Sequence, residues 1–204
     1  LYAPLYNTDI IDEPPTSWAD LLDARFTGEI MIADPTEANA SSQFLSALMH
    51  DGAIDEAWLT SLVEDQDLVL GPPSSSGSVN SIVTGESGLL VGIGAKHYLN
   101  AKGSGAPVGF ATGLEEGHYM LGYGVALLKD APHPAAAKLV ETWLLSTEGQ
   151  EGVAATNDYG TMPGAPAPEG LPDMSSFNVI LNPAPDEMDK VYPTHLALFQ
   201  QLMR

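Results

Sequence analysis

Short apolar runs alternate along this chain with polar turns and with stretches in which apolar residues recur at helical spacing. Three of these runs predict β-strands, at residues 29–33, 67–70 and 89–93. The third run is apolar at successive positions, so we expect an interior strand that is covered on both faces. Helical patterns between the strands end at Gly52 and Gly85, and glycine favours the left-handed end of a helix. Strands that alternate with helices predict an α/β fold with a largely buried sheet.

The second half of the chain contains more turns. The elements expected there are a loop at residues 100–107, strands at 108–111 and 120–128, a surface loop at 160–172 and a last helix after Pro193. A further helix is expected to begin near Pro134, since proline is well tolerated in a first helical turn. Its predicted buried stripe consists of Leu139, Val140, Trp143 and Leu144.

The charge balance narrows the classes of partner. The 204 residues include 27 Asp and Glu but 7 Lys and Arg, which gives a formal net charge of −20. Nucleic acids and anionic membranes are bound largely through Lys and Arg, so neither is an expected partner. No apolar run approaches the roughly 20 residues that cross a bilayer, so direct membrane insertion is not expected. The sequence has no cysteine, which excludes disulfides, thiolate nucleophiles and Cys-ligated metals.

Two Ser/Thr-rich turns each lie between a predicted strand and a predicted helix. Thr36 and Asn39 belong to the first turn, and the second is the run Ser75, Ser76, Gly77 and Ser78. Backbone N–H groups at a helix start can hold phosphate, phosphonate or carboxylate, and hydroxyl groups add donors. The alternative is that both turns are ordinary helix caps. Neither matches a nucleotide phosphate loop, because no Gly-Lys-Ser/Thr sequence is present.

Two His-Tyr pairs are the other candidates for ligand chemistry. His97 precedes Tyr98, and His118, which follows Glu116 by two positions, precedes Tyr119. Imidazole, phenolate and carboxylate together can coordinate a hard cation such as ferric iron. The spacing lacks the histidine pair of a zinc protease, so a structural or ligand-stacking role is the alternative, and no metal site is predicted. No GxSxG motif or recognisable triad occurs, so an enzyme is not predicted.

Five stretches carry a resemblance to a known family. They are PTSWADLLDARFTGEIMIADP at 15–35, IVTGESGLLVGIG at 82–94, GAPVGFATGLEEG at 105–117, KDAPHPAAAKLVETWLLSTEGQE at 129–151 and YGTMPGAPAPEGLP at 159–172. In order and spacing the chain resembles the extracellular solute-binding proteins of ABC importers, in the two-lobed type that includes ferric-iron, thiamine and phosphonate binders. The segment at 129–151 is the most specific part.

The resemblance implies a fold of the type 2 periplasmic-binding-protein class, in which two α/β lobes close on a ligand. The implied divisions are a crossover segment at 1–9, the second lobe at 10–111, a hinge at 112–117 and the C-terminal part of the first lobe at 118–204. The resemblance further implies that the N-terminal part of the first lobe has no counterpart in this sequence.

The resemblance also implies a ligand and partners. Ferric binders of this type carry two adjacent tyrosines where this chain reads Ala95-Lys96-His97-Tyr98. The absence of that pair weakens an iron assignment. Ferric iron, with Tyr98 and Tyr119 as its ligands, is therefore the alternative ligand and not the first choice. Lys96 and the serine-rich turns favour a small organic anion, such as a phosphonate or phosphate ester. The predicted ligand-binding residues are Thr36, Asn39, Ser75, Ser76, Gly77, Ser78, Lys96, His97, Tyr98, Glu116, His118 and Tyr119.

The implied protein carries ligand to an ABC permease in the membrane and needs no cofactor. The implied location is the periplasm or the cell exterior, with a lipid anchor in the full-length precursor as an option. An enzyme on the same α/β scaffold and a sensor or adhesion module that reuses the fold are the competing hypotheses.

Overall fold

The structure is a computed structural model that describes residues 1–203. The strands are β1 (Tyr2–Asn7), β2 (Ile30–Ala33), β3 (Val69–Gly71), β4 (Leu89–Gly94), β5 (Val108–Phe110), β6 (His118–Met120) and β7 (Val179–Leu181). The helices are α1 (Ala40–Asp51), α2 (Glu56–Glu64), α3 (Ser75–Thr84), α4 (Ala95–Gly103), α5 (Pro134–Leu144), α6 (Thr147–Ala155) and α7 (Pro185–Leu202). Helices alternate with the strands of a mixed sheet along the chain, which confirms the predicted α/β class.

The chain divides into two compact units. Unit 1 consists of Leu1–Leu121 together with the chain from Phe177 onward, and unit 2 is the intervening segment Gly122–Ser176. The predicted division at 1–9, 10–111, 112–117 and 118–204 therefore differs from these units, because the C-terminal helix belongs to unit 1. The lobes and the hinge stay a prediction, since compactness within the chain does not test them.

The sheet of unit 1 has five strands in the order β3-β2-β4-β1-β5. Strand β2 runs parallel to both β3 and β4, whereas β1 runs antiparallel to β4 and β5. Strand β4 thus lies in the interior of the sheet, as its continuous apolar sequence predicts. Strands β6 and β7 form a separate parallel pair.

Helices cover both faces of this sheet. Ile30 and Ile32 pack in one core with Phe44 of α1, and Met31 points to the opposite face because successive side chains of a strand alternate. On that opposite face α3 contacts β1, β2 and β4, and α4 contacts β4 and β5. Coverage of both faces is the arrangement of doubly wound α/β folds, in which ligands bind beyond the carboxyl ends of the parallel strands.

The predicted helix ends are confirmed. Gly52 and Gly85 follow α1 and α3 with φ of 85° and 76°, and their N–H groups return to carbonyls of the last helical turn. A side chain at either position would be strained, because this left-handed region is unfavourable for residues with a Cβ.

The last helix, α7, begins earlier than predicted. It starts at Pro185 and contains Pro193, whereas the sequence analysis placed its start after Pro193. Pro185 at the first helical position, followed by Asp186 and Glu187, is itself a helix-start signal. Helix α7 contacts α1 on both sides of Pro193. In the additional turns, the Tyr192 hydroxyl lies 2.7 Å from that of Ser42, and after Pro193, His195 Nδ1 lies 2.8 Å from Ser46 Oγ.

Two predictions for loops and strands were wrong. Residues 100–103 belong to α4, so the predicted loop at 100–107 begins later than expected. The predicted strand at 120–128 is present only up to Met120, where β6 ends. Within residues 1–203, the backbone N–H groups of residues 121–127 donate no hydrogen bond to another backbone carbonyl. This segment alternates large and small residues as a strand does, but no neighbouring strand pairs with it.

Unit 2 has little apolar core. Within residues 122–176, all of which the structure describes, Ala154 is the only buried hydrophobic side chain. The predicted stripe of α5 is not buried: Leu139, Val140 and Trp143 are 71%, 55% and 43% exposed. This prediction was wrong because helical spacing reports which face is apolar, and another element must still cover that face.

A buried glutamine organises much of unit 2. Gln150 Nε2 donates to the Leu144 carbonyl at 2.6 Å, and its Oε1 accepts from the N–H groups of Thr161 and Met162 at 2.8 and 3.0 Å. The side chain therefore links the end of α5 to the loop at 160–172. That loop has no helix or strand, as predicted.

Candidate functional site

The carboxyl ends of β2, β3 and β4 meet at one edge of the unit 1 sheet because these strands are parallel. The turns that follow them lead into α1, α3 and α4. We call this edge the carboxyl edge and define it as residues 34–42, 71–78 and 94–98. It gathers eight of the predicted site residues on three neighbouring turns, Thr36, Asn39, Ser75, Ser76, Gly77, Ser78, Lys96 and His97, and also the backbone of Tyr98.

The turn before α1 satisfies its own polar groups. Asn39 Oδ1 accepts from the N–H groups of Ser41 and Ser42 at 2.9 and 3.1 Å, and its Nδ2 donates to the Asp34 carbonyl at 2.7 Å. The N–H and hydroxyl of the buried Thr36 both donate to Asp34 Oδ1, at 2.8 and 2.7 Å. These contacts favour the cap interpretation for Thr36 and Asn39, since their groups already hold the turn together.

The turn before α3 is only partly self-satisfied. Ser74 Oγ accepts from the Gly77 N–H at a long 3.3 Å, and the fully buried Ser78 donates its hydroxyl to the Pro72 carbonyl at 2.8 Å. A Cβ at Gly77 would lie 2.8 Å from Ser74 Oγ and 2.9 Å from Pro72 Cβ, which explains the glycine. Ser76 is exposed and Ser75 half-buried, so these two can face a ligand, whereas Ser78 supports the turn.

The start of α4 differs from the other two. The N-cap residue of α4 is Gly94, which has no side chain to accept hydrogen bonds from the first N–H groups of the helix. Lys96 and His97, both half-buried, lie in the first turn. The ideal Cβ position of Gly94 is 3.6 Å from the Tyr2 ring and 3.7 Å from the His97 ring, so the two rings flank the cap.

Tyr2 is a candidate that the sequence analysis missed. It pairs with Gly94 across the antiparallel β1–β4 ladder, which places it at the carboxyl edge. The sequence analysis assigns residues 1–9 to a crossover segment and predicts no site residue there. The alternating sequence YAPLYN was a usable strand signal, but the antiparallel pairing that brings Tyr2 to this edge is tertiary information.

The two tyrosines predicted for iron are engaged elsewhere. Tyr98 is buried and stacks on Phe110 with ring centroids 5.0 Å apart, and Lys102 Nζ lies 5.4 Å from the Tyr98 ring centroid. Tyr119 is fully buried and donates its hydroxyl to Asn182 Oδ1 at 2.9 Å. Its ring packs at 5.4 Å from that of Tyr2. Tyr98 and Tyr119 thus lie in different packing environments.

Glu116 and His118 hold β6 in place. Glu116 Oε2 accepts from the Trp18 N–H at 3.1 Å, and the Glu116 carbonyl accepts from Asn178 Nδ2 at 2.8 Å. His118 is buried, and its Nε2 lies 3.0 Å from the Thr112 carbonyl oxygen. Burial lowers the His118 pKa, so the neutral ring that donates from Nε2 is favoured. Among residues 1–203, no group of three His, Asp or Glu side chains is placed to hold a metal ion.

A family comparison decides what kind of protein has this architecture. The model of the family described as "Bacterial extracellular solute-binding protein" matches residues 1–190. The chain belongs to this family. In the described part of this solute-binding protein, no helix has both the length and the apolar character that a membrane crossing requires.

Curated relatives extend beyond the chain. An uncharacterized protein of Haemophilus influenzae is 34% identical over 142 residues, which are 69% of this chain and 40% of that protein. A periplasmic protein of Salmonella typhimurium, whose name proposes 2-aminoethylphosphonate as its ligand, is 25% identical over 166 residues, 76% of this chain and 49% of that protein. The chain thus spans about half or less of the length of these curated relatives.

Solved structures share the fold. The periplasmic binding protein AfuA of Actinobacillus pleuropneumoniae, with fructose-6-phosphate bound, matches at a TM-score of 0.72 and 22% identity, covering 98% of this chain and 66% of AfuA. Iron-bound HitA of Pseudomonas aeruginosa matches at a TM-score of 0.70 and 20% identity, covering 100% of this chain and 67% of HitA. These likenesses confirm the predicted periplasmic-binding-protein fold of type 2.

Proposed function

We propose that this chain is the ligand-capture part of an ABC import system and binds a small organic anion, a phosphonate or phosphate ester, at the carboxyl edge. The start of α4 carries the proposal: a helix N-terminus without a side-chain cap, with Lys96 in its first turn. It binds and releases solute without turnover. Its partners are the solute and a membrane permease, and its location is the periplasm or the cell exterior.

Electrostatics favour an anion at this position. The first N–H groups of a helix lack intrahelical acceptors, and the helix dipole places partial positive charge there. Lys96 adds one of the seven basic side chains in a chain of net charge −20. A basic residue in the first turn is unfavourable for the helix itself, since its charge and the dipole repel. A bound anion would offset that repulsion, which supports a role for Lys96 in binding.

The relatives support an oxyanion of phosphorus. One is named for a phosphonate, and the AfuA structure contains a sugar phosphate. HitA contains iron, but the iron alternative in this chain requires Tyr98 and Tyr119, which stack on Phe110 and donate to Asn182. A ligand that needs only the turns at the carboxyl edge requires no rearrangement of buried tyrosines.

Calorimetric titration with 2-aminoethylphosphonate and with fructose-6-phosphate tests the proposal. We expect Lys96→Met to weaken binding of one of these anions by about tenfold or more, because a charge-assisted contact is lost. Lys102→Met is the matched control: it removes the same charge from the same helix, but from the last turn, where Nζ lies over Tyr98. Equal affinities for the two variants would contradict the site.

Two further results separate the competing functions. A visible tyrosinate-to-iron charge-transfer band on addition of ferric citrate, lost in Tyr98→Phe, would establish the iron alternative. Repeated release of product from a phosphoester panel would establish an enzyme. We expect neither.

A further inference from the structure

Two side chains of α7 reach the turn before α1. Gln200 Nε2 donates to the Thr36 carbonyl oxygen at 2.8 Å, and the Tyr192 hydroxyl lies 2.7 Å from that of Ser42. Gln200 and Tyr192 are both half-buried, on the side of α7 that faces α1. Residues 34–42 are the part of the carboxyl edge that follows β2, so α7 contacts the candidate site from outside its three turns.

Ser42 links Tyr192 to the backbone of this turn. The fully buried Ser42 hydroxyl accepts from the Asn39 N–H at 3.0 Å and lies 2.8 Å from the Glu37 carbonyl oxygen and 3.0 Å from that of Asn39. A serine hydroxyl has a single hydrogen, and the nearer carbonyl, that of Glu37, takes it. The Tyr192 hydroxyl therefore donates to Ser42 Oγ, and Ser42 in turn holds the Glu37 carbonyl.

These contacts fix the direction of two consecutive peptide groups. The C=O and the N–H of one trans peptide group point in opposite directions. Because Gln200 holds the Thr36 carbonyl, the N–H of Glu37 points away from the Gln200 side chain. Because Ser42 holds the Glu37 carbonyl, the N–H of Ala38 points away from the Ser42 side chain.

The two N–H groups are available to a ligand. Glu37 and Ala38 are exposed, and within residues 1–203 neither backbone N–H donates a hydrogen bond to the protein. The side chains of Thr36 and Asn39, in contrast, are used inside the turn. Adjacent N–H groups without acceptors favour an anion. The backbone of residues 37 and 38 is therefore what this turn offers to a solute.

We propose that Gln200 and Tyr192 are positioning residues for the anion, because they hold the N–H groups of residues 37 and 38 as donors at the carboxyl edge. This role rests on the proposed function and adds a second set of backbone donors to the start of α4. It also explains why the turn before α1 belongs to the site although its predicted side chains serve as caps.

Amide signals of the turn test whether residues 37 and 38 contact the anion. The isotope-labelled 204-residue chain is titrated with 2-aminoethylphosphonate and with fructose-6-phosphate while its amide resonances are recorded. We expect the amide protons of Glu37 and Ala38 to move downfield as an anion saturates the chain, since an N–H that donates to an oxyanion is deshielded.

Variants of α7 test the positioning role. Gln200→Met and Tyr192→Phe each remove one hydrogen bond and keep most of the side chain. We expect each to weaken anion binding in calorimetric titration by about threefold or more, and the double variant by about tenfold or more. Ser46→Ala is the matched control. Like Tyr192→Phe it removes one hydroxyl from an α1–α7 contact, that with His195 at 2.8 Å, but this contact does not reach the turn, so affinity should be unchanged.

Thermal unfolding of each variant without anion separates positioning from stability. Equal anion affinities in Tyr192→Phe and Ser46→Ala would show a purely structural contact and would overturn the proposed role. Unmoved signals of Glu37 and Ala38 in an unaltered chain that binds anion would also overturn it, and both results leave anion capture by Lys96 intact. If the unaltered chain binds neither anion, the proposed function fails and the role of α7 fails with it.

Discussion

Helices α1 and α5 have the same kind of apolar stripe and opposite surroundings. In α1, Phe44, Leu45 and Leu48 are at most 1% exposed, whereas Leu139 and Val140 of α5 are more than half exposed. Helix α1 lies between the unit 1 sheet and α7, and these neighbours bury it. The contrast shows that an amphipathic sequence determines which face of a helix is apolar, while burial depends on the elements that surround it.

The largest expected effect is the loss of a core side chain from α1. Phe44 packs at 5.6 to 5.8 Å from the rings of Tyr2, Trp18 and Tyr119. Phe44→Ala should therefore lower the free energy of unfolding by about 3–5 kcal/mol, because the cavity cannot close among these large rings. Denaturant titration measures the change.

Leu139→Ala is the matched variant in α5. Since the Leu139 side chain is 71% exposed, its removal should change the stability of the chain by less than about 0.5 kcal/mol. A comparable loss in the two variants would show that α5 is covered and would end the distinction between the units.

A smaller loss of stability is expected from a change at Gln150, whose side chain links the end of α5 to the loop at 160–172 in unit 2. Gln150→Leu leaves the N–H groups of Thr161 and Met162 without their acceptor, so we expect a local loss of about 1–3 kcal/mol. Limited proteolysis within residues 160–172 should become faster while α1 keeps its exchange protection. Unchanged proteolysis would contradict this role.

Removal of the Asn39 cap should cost about 1 kcal/mol. In Asn39→Ala, the N–H groups of Ser41 and Ser42 lose their acceptor and the Asp34 carbonyl loses its donor. Ser146→Ala is the comparable change at the start of α6 in unit 2, where Ser146 Oγ accepts from the Gly149 N–H. Thermal unfolding should respond to Asn39→Ala, whereas Ser146→Ala should be visible only as local exchange in α6.

The smallest expected effect is a pH dependence of the α1–α7 contact. Burial, and secondarily the nearby His50, lower the His195 pKa below the ordinary value of 6.5. Between the lowered pKa and pH 6.5, the unfolded chain therefore binds more protons than the folded chain. The contribution of His195 to the free energy of unfolding is fully present above about pH 6.5 and is lost as the pH falls through the lowered pKa. His195→Gln should reduce this dependence in unfolding measured from pH 8 to pH 5, and an unaltered slope would contradict it.

Much of the fold was predictable from local signals. The strands at β2 and β4, the helix α1 and the two glycine ends follow from periodicity and backbone preference, which act within a few residues. The same signals failed at residues 121–128 and in the burial of α5. Both errors have the same cause. A strand forms only beside a neighbouring strand, and an apolar helix face is buried only where another element packs on it, and local sequence reports neither.

The candidate site was predictable in outline. Three of the selected segments do follow neighbouring parallel strands, which is a consequence of α/β alternation. The roles within it depend on single contacts that the sequence does not reveal: Ser78 donates to Pro72, Tyr98 stacks on Phe110, and Tyr2 reaches the edge through antiparallel pairing with β4.

Hydrogen–deuterium exchange of the 204-residue chain, with and without saturating 2-aminoethylphosphonate, tests the central claim most directly. We predict added protection at the starts of α3 and α4, around Ser76 and Lys96, and none along α5. Protection that is absent from both helix starts, or that is confined to α5, would contradict anion capture at the carboxyl edge.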